Sequence, residues 1–139
     1  MSNRQTVKPS NRFEKMEERY FPFEQLEVYR LAVAFATDIY RVTRPFPADE
    51  RFGLTNQLRR AAASVSLNIA EGRGRGGDKE FVRFLMIARG SLFEVMAACQ
   101  IAESLNYLLP DDHRTVRTQA HELTARLMSL IKKLNPPSP

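Results

Sequence analysis

Residues Leu54–Glu94 read LTNQLRRAAASVSLNIAEGRGRGGDKEFVRFLMIARGSLFE, and their charge pattern decides the fold. No charged residue lies between Ala61 and Ala70, and only Arg89 and Glu94 are charged between Phe84 and Ile101. Between these stretches stands Glu71-Gly-Arg-Gly-Arg-Gly-Gly-Asp78, a glycine-rich run that propagates a helix poorly and carries two arginines. Two buried helices joined by a short basic loop are therefore predicted. Leu54, Leu58, Ala61, Ala62, Val65 and Ile69 recur at helical spacing, which predicts a helix from near Gly53 to Glu71 with Gly72 as its C-terminal cap. The next helix is expected to take Asp78 as its N-cap and reach about Tyr107, with Phe81, Phe84, Leu85, Ala88, Leu92, Val95, Cys99 and Ala102 as its core stripe.

Outward from this hairpin the same periodicity continues. Gln25–Arg44 carries two apolar rows, Leu26, Tyr29, Val33, Ala36, Tyr40 and Val28, Leu31, Phe35, Ile39, Val42, and is stopped by Pro45 and Pro47. After the turn Leu109-Pro-Asp-Asp112, the residues Val116, Ala120, Leu123, Leu127, Leu130, Ile131 and Leu134 form one narrow stripe that ends before Pro136 and Pro137. Four long helices on short connections predict an all-α, antiparallel up-down-up-down bundle over residues 21–135, with flexible tails at 1–20 and 136–139.

Three of the helices carry more apolar surface than one bundle core needs. The third has a second stripe, Val82, Met86, Phe93, Ala97 and Ile101, and the back of the second holds the small residues Ala63, Ser66 and Ala70. These residues are the expected interface of a ring-like homo-oligomer. The competing expectation is a central third helix that touches everything within one subunit.

Composition narrows the function. The 139 residues, 43% of them apolar, supply one core. Met1–Tyr20 has no apolar block and reads as neither signal nor anchor, and Arg89, Gly90 and Glu94 interrupt the longest apolar run, so a cytoplasmic protein without a membrane span is expected. The lone Cys99 falls in a core stripe and reads as a structural thiol, while His113 and His121 have no ligand-spaced partners, so neither metal nor cofactor is expected. Residues 51–89 hold eight Lys/Arg against three Asp/Glu, so the whole net charge of +5 maps onto the hairpin.

A localised cationic surface suits phosphate. Arg59, Arg73, Arg75, Lys79 and Arg83 are the candidate RNA or DNA contacts, because guanidinium forks match phosphate oxygens and glycines let backbone N–H groups approach them. Gln57, Arg60, Asn68 and Glu71 share a row with Ser64, and together with Arg89 and Glu94 they are the expected structural polar network, with arginines meeting carboxylates inside the assembly. Arg73 and Arg75 are expected to have few acids nearby. Glu71 and Glu94 are a candidate carboxylate pair across the second and third helices, but no nucleophile–histidine set or phosphate loop accompanies them, so no enzyme is expected. Phe81, Phe84 and Phe93 fall in packing stripes, which argues against base readout through aromatics. A protein scaffold that docks a nucleic-acid-processing protein is the alternative to direct binding.

These residues also carry a resemblance. Leu26-Glu-Val-Tyr29, Phe46-Pro47, Phe52-Gly-Leu-Thr55, Gln57-Leu-Arg-Arg-Ala-Ala62, Asn68-Ile-Ala-Glu-Gly72, Phe84-Leu85 and Ala88-Arg-Gly-Ser-Leu92 with Glu94 resemble the four-helix-bundle family associated with intervening sequences in bacterial 23S ribosomal RNA. The likeness covers roughly residues 23–109. Tyr29 stands where Trp is usual, Ser66-Leu67 replaces a Pro-Ser, and Met96-Ala-Ala98 is more apolar than the family pattern. The resemblance implies a homopentameric bundle. More distantly, the chain is similar to retroelement accessory variability proteins, basic pentameric barrels that bind nucleic acid and a reverse transcriptase.

Overall fold

The computed structural model describes residues 20–137, and among these there are four α-helices and no strand. They are α1 (Glu27–Thr43), α2 (Leu54–Gly74), α3 (Asp78–Ser104) and α4 (Pro110–Leu134), with 3₁₀ turns at Pro22–Gln25 and Ala48–Glu50. Residues 1–19 and 138–139, most of the expected tails, lie outside the described residues. The packing pairs are α1–α2, α2–α3, α3–α4 and α4–α1, which closes an antiparallel four-helix bundle. α3 rests on α2 and α4 and makes no packing pair with α1, so it is not the central helix of the competing expectation.

The core follows the periodicities. Every residue of the predicted α3 stripe is buried, as are Leu58, Ala61, Ala62, Val65 and Ile69 of α2, and Val116, Ala120, Leu123, Leu127 and Ile131 of α4. From α1 the Val28, Phe35, Ile39, Val42 row goes inward with Ala32, while Val33 and Tyr40 remain exposed. By length and composition α3 could cross a membrane, its most apolar window having a mean hydropathy of 1.4. Its Phe81–Ala102 face is instead occupied by the bundle core. Cys99 is buried there too, and desolvation pushes its thiol up to about 12, so it stays protonated and a poor nucleophile.

Four boundaries differ from the periodicity reading. Gly72 does not cap α2, which continues to Gly74, and the left-handed turn residue is Gly76 at φ 93°. Gly72 is buried because a Cβ there would stand 2.5 Å from Phe84 Cβ and 3.2 Å from Phe81 Cδ1, so it sets how closely α2 approaches α3. Asp78 is the first residue of α3 and not its cap, Gly77 taking that place. Its carboxylate therefore sits in the first turn, where the helix dipole favours negative charge. α3 stops at Ser104, since Asn106 adopts φ 62° and the N–H groups of Tyr107 and Leu108 both return to the Ala102 carbonyl at 2.9 and 3.3 Å. α4 begins earlier than expected, with Pro110 in its first turn and Leu109 as N-cap.

Candidate nucleic-acid interface

Antiparallel packing places the α2–α3 hairpin at the end of the bundle that also holds the start of α1 and the end of α4. Arg73, Arg75, Lys79 and Arg83 are all exposed there, and Lys132 and Lys133 in the last turn of α4 lie at the same end. Arg73 and Lys79 form no ion pair among the described residues. The other two are partnered, contrary to the expectation of few acids near Arg75. Arg75 Nη2 donates to Glu71 at 2.6 Å, and Arg83 donates to both Glu80 carboxylate oxygens at 3.0 and 3.2 Å. That hydrogen bond holds the Glu80 carboxyl below its ordinary range and the Arg83 guanidinium above its own.

Phe84 joins the two arms of the hairpin. The guanidinium carbons of Arg75 and Arg83 lie 5.0 and 4.6 Å from its ring centroid, while its Cβ abuts Gly72. The absence of a side chain at Gly72 lets this ring reach across to both arginines. Two cations are thereby pre-oriented, each with its charge partly offset by a carboxylate.

Arg59 belongs to a different place. Its Nε donates to Thr43 Oγ1 at 2.8 Å and its Nη2 to the Tyr40 carbonyl at 3.3 Å, with the guanidinium 4.8 Å from the Tyr40 ring centroid. A cation is favoured at the carbonyl end of a helix, so Arg59 caps α1 instead of facing the hairpin. It stands 14 positions before Arg73, about 21 Å along α2.

The expected polar network divides into separate groups. Gln57 donates to Glu94 across α2–α3. Ser64 and Ser91 are hydrogen bonded at 2.8 Å, and Asn68 Nδ2 donates back to the Ser64 carbonyl at 2.8 Å. Arg60 makes no side-chain hydrogen bond among the described residues and lines a polar cleft of about 310 Å³ with Gln57, Ser64, Ser91 and Glu94. Among the described residues Arg89 meets no carboxylate either; its guanidinium lies 5.0 Å from the Phe93 centroid and its buried Nε has no hydrogen-bond partner there. Glu71 turns to Arg75 and Glu94 to Gln57, so the two carboxylates do not form a pair. Of the histidines, His121 is solvated, but His113 is nearly buried at the α3–α4 joint and hydrogen bonded to Glu103.

The second apolar stripe of α3 faces solvent. Met86, Phe93 and Ile101 are 44, 49 and 54% exposed, and with Gly90 and Ala97 they follow i, i+4, i+7, i+11, i+15 in one straight seam. A Cβ on Gly90 would meet nothing within 4 Å, so the bundle itself gives no steric reason for glycine there. Val82 is half-buried beside it. The small residues of α2 behave differently: Ser66 is buried within the chain with its hydroxyl on the Ala63 carbonyl at 3.1 Å and so is closed to the expected interface between copies, while Ala63 and Ala70 are half-buried. Outside the periodic stripes, Tyr20, Phe21 and Phe52 are 70, 67 and 83% exposed, an exposure that no helical period signals.

An all-α antiparallel bundle with a basic end is the class that fold and surface define. Its family is shown by sequence: the chain belongs to the 23S rRNA-intervening sequence protein family, whose model matches residues 24–129. The fold is similar to that of the crystal structure of a protein of unknown function from the S23 ribosomal protein family of Bacteroides thetaiotaomicron VPI-5482, with a TM-score of 0.68 at 21% identity, covering 76% of this chain and 98% of that one. No curated protein matches the sequence.

Proposed function

We propose that the protein is a non-enzymatic cytoplasmic homo-oligomer that binds RNA or DNA through phosphate contacts at the α2–α3 hairpin, without a cofactor. The observation that carries this reading is the cluster of exposed cations at one end of the bundle, of which Arg73 and Lys79 have no carboxylate partner among the described residues. The family's association with 23S ribosomal RNA intervening sequences agrees with an RNA ligand. Phosphate binding of this kind discriminates weakly between sequences and depends steeply on salt.

A salt-titrated gel shift with RNA and DNA tests it. In Arg73→Ala/Lys79→Ala the slope of log affinity against log salt is expected to fall by about 0.7–0.9 per lost phosphate contact. Arg75→Ala alone is expected to change it less, because Glu71 already offsets that charge. Absence of binding by the unaltered protein at low salt sinks the reading.

Self-association is supported by the α3 seam, whose Met86, Phe93 and Ile101 rings and chains are wet in a single subunit. A second copy covering it would bring several hairpins together and raise avidity without new contacts. Phe93→Glu puts a charge in the seam and is expected to convert the assembly to a 16.0 kDa particle in sedimentation velocity. An unaltered protein that already sediments as the monomer at micromolar concentration overturns the oligomer.

A scaffold role is favoured by one further observation. Phe52, Leu105 and Leu109, 83, 50 and 65% exposed, gather at the end opposite the hairpin, where an apolar protein partner such as a nucleic-acid-processing enzyme would dock. Binding of that kind survives salt that abolishes phosphate contacts.

A further inference from the structure

The turn that precedes α1 is built as a rigid aromatic step. Phe21 N–H donates to Glu24 Oε1 at 2.8 Å, and Glu24 N–H donates to the Phe21 carbonyl at 2.9 Å, a reciprocal pair closed around Pro22. On this turn Phe21 lies over Phe23 with centroids 5.7 Å apart and planes at 15°, and Phe23 meets Tyr29 of α1 edge-on at 4.7 Å. Three rings thus form a ladder anchored on the bundle. Phe23 takes one face of Phe21, yet the residue is still 67% exposed, so the ladder ends on a wet aromatic face. Tyr20, 70% exposed, flanks it.

Helix register brings this step to the hairpin. Arg59 touches Tyr40 and Thr43 of α1, and Ser66, Ala70 and Arg73 follow it at intervals of 7, 11 and 14, all on the same flank of α2. Because α1 and α2 run antiparallel, advancing 14 positions along α2 descends as far along α1, to the level of Leu26–Tyr29. The Pro22–Gln25 turn itself packs against α2. An open aromatic face and an arginine with no ion pair among the described residues therefore stand at the same level of the α1–α2 side, at one corner of the bundle.

We infer that this corner holds an unpaired nucleotide, its base stacked on the free face of Phe21 and its phosphate drawn to Arg73, so that the ligand is single-stranded nucleic acid and not uninterrupted duplex. The inference rests on the phosphate-binding reading above and specifies its ligand. Bases in a duplex are already stacked on their neighbours, and only splayed bases offer a free π-face to a protein ring. An apolar protein segment seated on Phe21 would have no use for the adjacent cation, whereas a nucleotide brings one negative charge with each base. Phe21 costs little entropy to use, since its capped turn already fixes it.

The test is a titration of the full chain with a short RNA carrying a fluorescent purine analogue, presented single-stranded and annealed to its complement. The unaltered protein is expected to change the analogue's fluorescence only in the single strand. Phe21→Ala and Phe21→Leu are expected to lose on the order of tenfold in single-strand affinity, with duplex binding and the salt slope unchanged, and Phe21→Tyr to retain both. Leucine keeps the apolar bulk without a π-face, so a loss shared by Ala and Leu but not Tyr identifies stacking. Equal affinity of all variants for the single strand overturns the inference and leaves phosphate binding standing. Equal losses on single strand and duplex, or a shift in sedimentation instead of affinity, also overturn it, by making Phe21 a packing or subunit contact. No binding of either form by the unaltered protein fails both readings together.

Discussion

Leu92→Ala is expected to lower the unfolding free energy by about 3–5 kcal/mol. Leu92 is 0% exposed at the middle of α3, on the face that meets α2 and α4, and Leu85, Ala88 and Val95 around it on that face are equally closed to water. Truncation removes the transfer energy of three carbons and leaves a void that two helices on either side are too constrained to fill. A domain of this size is held by about 5–15 kcal/mol in total, so the variant forfeits a large share of its margin. Urea denaturation should show a lowered midpoint with an unchanged slope. A loss below about 1 kcal/mol would mean that α3 presents a different face to the core.

Gly72 and Gly90 should respond oppositely to one extra methyl group. At Gly72 the new Cβ stands 2.5 Å from Phe84 Cβ, an atom fixed to the α3 backbone, so the two helices must separate to admit it. Overpacking costs about 1–3 kcal/mol and removing a helical glycine returns about 1 kcal/mol, so Gly72→Ala is expected to be destabilising by up to about 2 kcal/mol. Gly72→Leu has no route for its longer chain past Phe81 and Phe84 and should cost upwards of about 3 kcal/mol. At Gly90 a Cβ meets nothing, so Gly90→Ala in dilute protein is expected to stabilise by up to about 1 kcal/mol. Urea midpoints of the two alanine variants decide the sign. If a second copy sits on the seam, the Gly90→Ala gain should shrink or reverse as protein concentration rises, because the added methyl then occupies the closest approach between helices.

Much of the architecture was legible in residue order. The α3 stripe from Phe81 to Ala102 was readable because core burial repeats every three to four residues, and the seam from Met86 to Ile101 because it obeys the same rule on the opposite side. Gly72 was misread because a glycine after an apolar stripe is equally the signature of a cap, and only the position of Phe84 on the neighbouring helix shows that it is a contact. Phe21 and Phe23 follow no period, and the geometry of the α1 entry turn depends on a cap formed by Glu24.

The candidate site was legible only as a sum of charge. That eight cations concentrate in residues 51–89 is a property of composition, but how each is spent is not. Arg59 went to the end of α1, Arg75 and Arg83 to Glu71, Glu80 and the ring of Phe84, and Arg73 and Lys79 were left facing water. The sequence by itself determined four amphipathic helices, their order and the charge of their connecting loop, since helical periodicity and capping are local and set by residues within one or two turns. Only the tertiary structure decided which arginines are neutralised and which aromatic face stands beside them, because hydrogen bonding and ring contact act over a few ångströms between side chains that helix register, not chain proximity, brings together.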